Sequence, residues 1–234
     1  MKSKIRINKY LSDKKICSRR MADRLIEKGL VFVNGKRAQI GQKVSEKDKI
    51  VVKGADALKK SYKYYLFYKP VGYVSHKTSK EQKDARDLAG LDSSFAPVGR
   101  LDKASEGLML FTNDGRIVDR LLNPKYEHEK EYIVWTDKYV KESDLKRLAK
   151  GVNIEGYITK PAKTRRLSDK SFRIILKEGK KHQIRRMLAA LGYKTENLKR
   201  VRIMHMKLKN LKPGQKRKLS EKEKKELLSK LDLI

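Results

Sequence analysis

The 234-residue chain is expected to adopt an α+β fold in two parts: a small two-helix module, then a larger domain on a mixed, mainly antiparallel sheet. Three observations lead there. Residues 1–53 show two short helical spacings followed by an Asn-Gly turn between apolar runs. A polar stretch, Gly54-Ala55-Asp56-Ala57-Leu58-Lys59-Lys60-Ser61, then reads as a linker, which sets the domains at 1–60 and 61–234. Beyond it strand signals outnumber helix signals, without a regular strand–helix–strand series.

In the first module Ile7, Leu11 and Ile16 fit a short helix. Ser18 is a suitable N-cap for a second helix that turns Met21, Leu25 and Ile26 inward and ends at Gly29. Val31-Phe32-Val33 leads into Asn34-Gly35, and Ile40, Val44 and Ile50-Val51-Val52 supply further strand residues. In the larger domain Tyr64–Tyr68 reads as a strand stopped by Lys69-Pro70-Val71-Gly72. Leu108–Phe111, Glu131–Trp135 and Phe172–Leu176 read as three more. Ile184, Leu188 and Leu191 recur at helical spacing and end at Gly192. Ser220 with Glu223 forms a capping box for a last helix carrying Leu227, Leu228 and Leu231.

The composition narrows the function. Sixty Lys and Arg against 28 Asp and Glu give a net charge of +32. That excess seeks a polyanion, and nucleic acid is the expected partner because neutralised phosphates release counterions. A lysine-rich composition with many solvated side chains is the plain alternative. Residues 1–60 carry 18 basic and 6 acidic side chains, against 42 and 22 in the remaining 174, so charge is densest in the first module. Arg19 and Arg20 stand in the first turn of its second helix, where the helix dipole favours acids. With Lys14, Lys15 and Arg24 they form a candidate phosphate-binding face, the alternative being solvated arginines. Aromatic content of 7% argues against a sheet that stacks many bases. No apolar run is long enough for a membrane span, and Met1–Ile5 lacks the core of a secretory signal, so a cytoplasmic protein is expected; a monomer is the expected state.

Several chemistries lack their residues. There is no Walker or Rossmann glycine loop. His76, His128, His182 and His205 lack ligand spacing, so no metal is expected. Cys17, the single cysteine, excludes a disulfide framework; its basic neighbours could activate it, but a small buried hydrophobe is the simpler reading. Cofactor-free chemistry by a carboxylate, tyrosine or arginine remains. The most informative segment is Pro97–Leu108, where Asp102 lies between Arg100 and Lys103 ahead of an apolar strand. An oriented carboxylate there can act as a nucleophile, although an Asp flanked by basic residues is more often a surface ion pair or turn former.

Two resemblances bear on these alternatives. LSDKKICSRRMADRLIEKGLVFVNGKRAQIG resembles an S4 RNA-binding domain, in which two helices and the following loop hold structured RNA. FAPVGRLDKASEGLMLFTNDG resembles the aspartate signature of pseudouridine synthases, in the branch that modifies ribosomal RNA at single sites. FYKPVGYVS is similar to that branch's first strand and turn, with Tyr68 where asparagine is usual. HEKEYIVWTD and LKEGKKHQIRRMLAALGYKTENLKRVRIMHMKL match two further motifs in the same order. Details such as ICSRR and HEKEY lean toward F-type members, whose substrates include a site in 23S ribosomal RNA and, in some bacteria, a tRNA anticodon uridine.

The resemblance implies roles. Asp102 aligns with the family's essential aspartate. Tyr132 aligns with the tyrosine that stacks on uracil and is a candidate for removing the C5 proton; on an alternating strand it reads equally as core. Arg185 aligns with the arginine paired to the aspartate, against a solvated helix face as the alternative. Ile203 would pack on the uracil's other face, and Arg100 would be aimed at the RNA to fill the gap left by the target base. The implied reaction isomerises uridine to pseudouridine within RNA, free or in a ribosome assembly intermediate, with no cofactor. The rival is a non-catalytic RNA-binding or ribosome-assembly factor, which would have no need of Asp102, Tyr132 and Arg185 together.

Overall fold

In the computed structural model, residues 4–54, 62–79 and 81–234 are described. The first module runs β1 (Ile5–Arg6), α1 (Ile7–Asp13), α2 (Arg19–Glu27), β2 (Val31–Val33), β3 (Lys36–Arg37), β4 (Lys43–Val44) and β5 (Ile50–Val52). Ser18 caps α2, its Oγ accepting the Met21 N–H at 3.3 Å. Ile7 and Leu11 from α1, Ala22, Leu25 and Ile26 from α2, and Val31, Val33 and Val44 close a small core. Asn34 and Gly35 take positive φ values of 51° and 82°, the geometry a two-residue hairpin requires.

Two expectations are corrected here. Ile16 lies past the end of α1: Lys15 takes a left-handed φ of 61°, and the Ile16 N–H closes back on the Leu11 carbonyl at 3.0 Å. Ile40 is not a strand residue; it is exposed in a turn where the Gln42 N–H reaches the Gln39 carbonyl. Of the expected linker only Gly54 is described, so the boundary at residue 60 lies outside the described residues.

The larger domain follows as β6 (Tyr64–Lys69), α3 (Ala85–Leu88), β7 (Ala96–Val98), β8 (Glu106–Thr112), α4 (Ile117–Leu122), β9 (Lys130–Thr136), α5 (Glu142–Lys150), β10 (Asn153–Ile154), β11 (Tyr157–Ile158), β12 (Lys163–Ser168), β13 (Ser171–Leu176), α6 (Gln183–Ala189), β14 (Thr195–Ile203), β15 (Met206–Lys207), β16 (Lys216–Lys218) and α7 (Glu221–Lys230). The main sheet has the order β12-β13-β9-β14-β8-β6-β16, with β15 on β14 and β7 on β8. Every neighbouring pair is antiparallel except β14 and β8. The sheet is therefore mixed and mainly antiparallel, as the sequence predicts.

Alternating strand residues divide between two cores. Phe67, Met109 and Phe111 pack with α5 and α6 through Leu145, Leu148, Ile184 and Leu188. Tyr64, Leu66, Leu108 and Leu110 pack on the other face with α4 and α7 through Ile117, Leu121, Leu227 and Leu228. α6 ends at Ala189, short of Leu191, and Gly192 then supplies the left-handed φ of 77° that turns the chain into β14.

The first module docks on the larger domain around Arg116. The Arg116 guanidinium reaches the Lys15 carbonyl of the first module at 3.5 Å, and it is held in place by two 2.8 Å bonds to Asp114 and by the Tyr62 ring, whose centre lies 4.4 Å away. Cys17 is fully buried, and burial pushes its thiol up to about 11, so it is the inert core residue of the simpler reading.

Ser220 and Glu223 complete their capping box, and Arg217 grips Glu223 with two 2.6 Å bonds. The Arg217 hydrogen bonds hold the Glu223 carboxyl down to about 2, against an ordinary value of 4.5. A depressed carboxyl adds stability above its unfolded value, and that stability is lost as pH falls toward the folded one. Glu223→Gln is expected to lower stability by about 1–2 kcal/mol at pH 7, the scale of a lost cap and charged pair. The deficit should shrink below pH 4 in denaturant titrations; a deficit independent of pH would contradict the pairing.

Candidate active site

β8 and β14 run parallel and meet over only two residue pairs, Lys199 with Glu106 and Arg200 with Gly107. At this seam Gly107 has φ 114°, and a Cβ there would fall 2.2 Å from the Arg200 carbonyl oxygen. No side chain fits, so a glycine lets the strands approach. The loop entering β8 carries Asp102 to a cleft of 280 Å³ lined by Arg100, Asp102, Lys130, Tyr132, His182 and Arg200 on its polar side.

That loop is held by its backbone. Ser75 Oγ accepts the Leu101 N–H at 2.8 Å and donates to the Leu101 carbonyl at 2.7 Å. The Gly72 N–H reaches the Lys103 carbonyl at 2.8 Å. The fully buried Lys69 ammonium binds the carbonyls of Pro70 and Tyr73, each at 2.8 Å. Burial pulls Lys69 down to about 8. The Lys-Pro-Val-Gly-Tyr-Val-Ser segment thus acts as a brace for the aspartate loop. Tyr68 ahead of it donates to Glu106 at 2.5 Å, beside the strand seam.

The second brace comes from the segment before α6. Glu178 is buried and accepts from Tyr157 Oη at 2.6 Å, Gln183 Nε2 at 2.8 Å and the Lys160 N–H at 3.0 Å. These bonds fix a turn that ends at His182, whose φ of 50° is unusual for a non-glycine residue. His182 Nδ1 lies 3.2 Å from Asp102 Oδ2.

Arg185 is placed differently from the sequence expectation. Its guanidinium donates to the carbonyls of Ala104 at 3.0 Å and Thr195 at 3.2 Å, with Ser105 Oγ at 3.4 Å. It grips the aspartate loop two residues past Asp102, while the ionisable neighbour of the carboxylate is His182. A planar guanidinium with several donors suits such carbonyl bridging.

Tyr132, largely buried, lines the cleft from β9, and its strand partner in register is Arg200. Leu101, Leu176, Ile184 and Leu198 form the apolar wall. Ile203 is corrected: it is 1% exposed in the opposite core with Ile117, Leu121 and Leu227, and it does not line the cleft. Leu198, on the same strand, lines the cleft. Arg100 is exposed on the cleft's rim.

The basic residues of the first module also divide. Arg19, Arg20 and Arg24 are exposed, and their side chains have no partner among the described residues. Lys14 lies 3.8 Å from Glu46 and 5.6 Å from the Tyr10 ring centre. Lys15 is half-buried and donates to the Asp232 carbonyl, so it ties the module to the turn after the chain's last helix rather than presenting a free charge.

Sequence reasoning passes over three cleft residues. His182 enters it only as a poor metal ligand, although it precedes the motif's Gln-Ile-Arg. Lys130 stands two residues before Tyr132, a spacing that places both on one strand face. Arg200 is a cation inside a buried strand, which by itself signals a polar task. Among the described residues no group of three or more His, Cys, Asp or Glu side chains is placed to hold a metal ion, and no helix is long and apolar enough to cross a membrane.

Residues 63–190 match the family model for RNA pseudouridylate synthase, and residues 5–50 match that of the S4 domain. The chain is 40% identical over 224 residues to the dual-specificity RNA pseudouridine synthase RluF of Escherichia coli K12, covering 94% of this chain and 77% of that protein. It is 35% identical over 231 residues to the ribosomal large subunit pseudouridine synthase B of Bacillus subtilis, covering 95% of each. A crystal structure of a pseudouridylate synthase superposes with a TM-score of 0.70 at 28% identity, over 95% of this chain and 99% of that one. With the synthase family model matching more than half of its residues and relatives of 35–40% identity covering almost all of it, the chain belongs to the RNA pseudouridylate synthase family.

Proposed function

We propose that the protein converts one uridine of 23S ribosomal RNA to pseudouridine in the cytoplasm, with Asp102 as the catalytic carboxylate. The observation that carries this reading is the double brace on the Asp102 loop, which leaves the carboxylate 30% exposed at a narrow, half-apolar cleft. At 280 Å³ the cleft is small beside the roughly 300–1,000 Å³ of ordinary ligand pockets, which suits one extruded base. The uridine must leave its stack, since C1′ and the ring faces are covered there. Tyr132 stacks on the ring and Leu198 closes its other side; Arg100 at the rim fills the vacated place in the RNA. Asp102 then opens the glycosidic bond, as nucleophile at C1′ or as base at C2′. The detached uracil turns within the cleft and rejoins through C5.

A tRNA anticodon uridine is a second substrate on this reading, in keeping with the dual specificity named for RluF. The test is incubation of the protein with a 23S transcript and with bulk tRNA, followed by mass-spectrometric mapping of pseudouridine. One new pseudouridine in the 23S transcript is expected; none in either RNA would favour the non-catalytic binder.

Arg185 serves as a positioning residue. Arg185→Ala is expected to slow single-turnover conversion by about 100-fold, the cost of misplacing a reacting group by about an ångström, with RNA affinity kept within a few-fold. Arg185→Lys should restore little, because one ammonium does not bridge the Ala104 and Thr195 carbonyls as a guanidinium fork does. A fully active lysine variant would contradict the bridging role.

A further inference from the structure

Three buried cations surround the Asp102 loop, and none has a carboxylate within ion-pair distance among the described residues. Lys69, Lys130 and Arg200 are 0%, 7% and 3% exposed. A buried charge is costly unless paired and hydrogen-bonded. Lys69 meets that need with backbone carbonyls. The other two do not. The Lys130 ammonium has a single long hydrogen bond, 3.3 Å to the His128 carbonyl, although it carries three donors. Arg200 spends Nε on the Leu108 carbonyl at 2.7 Å and Nη1 on the Arg100 carbonyl at 3.3 Å, while its buried Nη2 has no partner. Both residues line the cleft that holds Asp102 and Tyr132. Their charges repel: burial, and then the Arg200 charge, pull Lys130 down to about 8. Two cations held together with donors unused at a reaction cleft are arranged for an anion that arrives with the substrate.

The reaction supplies one. When the C1′–N1 bond breaks, its electron pair leaves with N1, and the freed uracil carries a negative charge spread over N1, O2 and O4. This holds whether Asp102 bonds to C1′ or takes the C2′ proton. In the closing step C5 bonds to C1′ as the C1′–Asp102 bond breaks or, on the other route, as Asp102 returns the proton to C2′. The C5 proton then goes to a base and N1 gains a proton, so the product is an isomer of the substrate and Asp102 is regenerated. We propose that the Lys130 ammonium, with the Arg200 charge acting on the same cleft, holds the negative charge of the detached uracil. The inference deepens the proposed function and depends on it. Lys130 is then a catalytic residue that touches the base, and its strand position two residues before Tyr132 puts the cation beside the stacked ring.

The experiment compares leaving groups. A synthetic RNA stem-loop carries uridine or 5-fluorouridine at the one position the parent protein converts. Fluorine withdraws electrons, so the fluorinated base bears its anionic charge with less help. Single-turnover loss of each nucleoside is followed for the parent and for Lys130→Met. Removing a charge-stabilising donor typically costs about 10²–10³-fold in rate. Lys130→Met is therefore expected to slow uridine loss by about 100-fold and 5-fluorouridine loss by less than about tenfold, with RNA affinity unchanged. Lys130→Arg, which keeps the cation, should recover most of the uridine rate. If Lys130→Met does not fold, Lys130→Gln keeps a hydrogen-bond donor without the charge and should show the same contrast. Equal losses on both substrates, or a Met or Gln variant as fast as the parent on uridine, would overturn the inference. A parent protein inert on every RNA would instead overturn the proposed function.

Discussion

Asp102→Asn is expected to stop pseudouridine formation, with single-turnover rates falling by roughly 10⁴-fold or more, the scale seen when an essential catalytic group is removed. The amide has the shape of the carboxylate but neither its charge nor its nucleophilicity. The loop should keep its place, because its anchors are backbone atoms: Leu101 to Ser75, Lys103 to Gly72 and Ala104 to Arg185. The 3.2 Å contact with His182 would change, yet both side chains are partly exposed and such contacts contribute little stability. RNA affinity should stay within a few-fold, since the phosphates are held by other residues. A measurable turnover by the Asn variant, in single-turnover assays with nucleoside analysis, would remove Asp102 from the chemistry.

Joint replacement of Arg19, Arg20 and Arg24 by Ala is expected to weaken RNA binding by about 10³-fold or more at low salt, since hydrogen bonds to charged groups contribute on the order of 1.5 kcal/mol or more each. The dependence of log affinity on log salt should become shallower by about one unit for each phosphate no longer neutralised, close to three in all. Stability should hold or rise. The three side chains are exposed and unpartnered among the described residues, Ala is the better helix former, and two cations leave the first turn of α2. Lys15 is left untouched in this variant because it joins the module to the end of the chain. Salt titrations of binding with melting curves separate the two effects. An unchanged slope would mean that this face of α2 does not meet RNA.

Much of this architecture is legible in the sequence wherever one local signal suffices. The Ser18 cap, the Asn34-Gly35 hairpin and the Ser220–Glu223 box are local chemistry, and each forms where the sequence places it. α4, α5 and β14 carry weaker signals. α5 depends on Leu145 and Leu148 meeting the sheet, and β14 is a strand of alternating charged and apolar residues whose cations reach partners on other strands. The site shows the same limit. Asp102 and Tyr132 can be placed through motif likeness, but the partner of Asp102 cannot. Whether Arg185 or His182 reaches the carboxylate depends on how α6 starts, and that start is set by Glu178, which collects donors from Tyr157, Lys160 and Gln183. Ile203 and Leu198 lie on one strand, and only the packing on either side of the sheet tells which of them faces the cleft.

The central claim is that this protein isomerises a specific uridine through Asp102. The most direct measurement is a pseudouridine map of 23S ribosomal RNA and tRNA from cells that lack the protein, then from the same cells given the parent or the Asp102→Asn chain. One 23S position should lose its pseudouridine in the deletion, regain it with the parent and stay unmodified with the Asn variant. Identical maps in all three, or restoration by Asp102→Asn, would contradict the account.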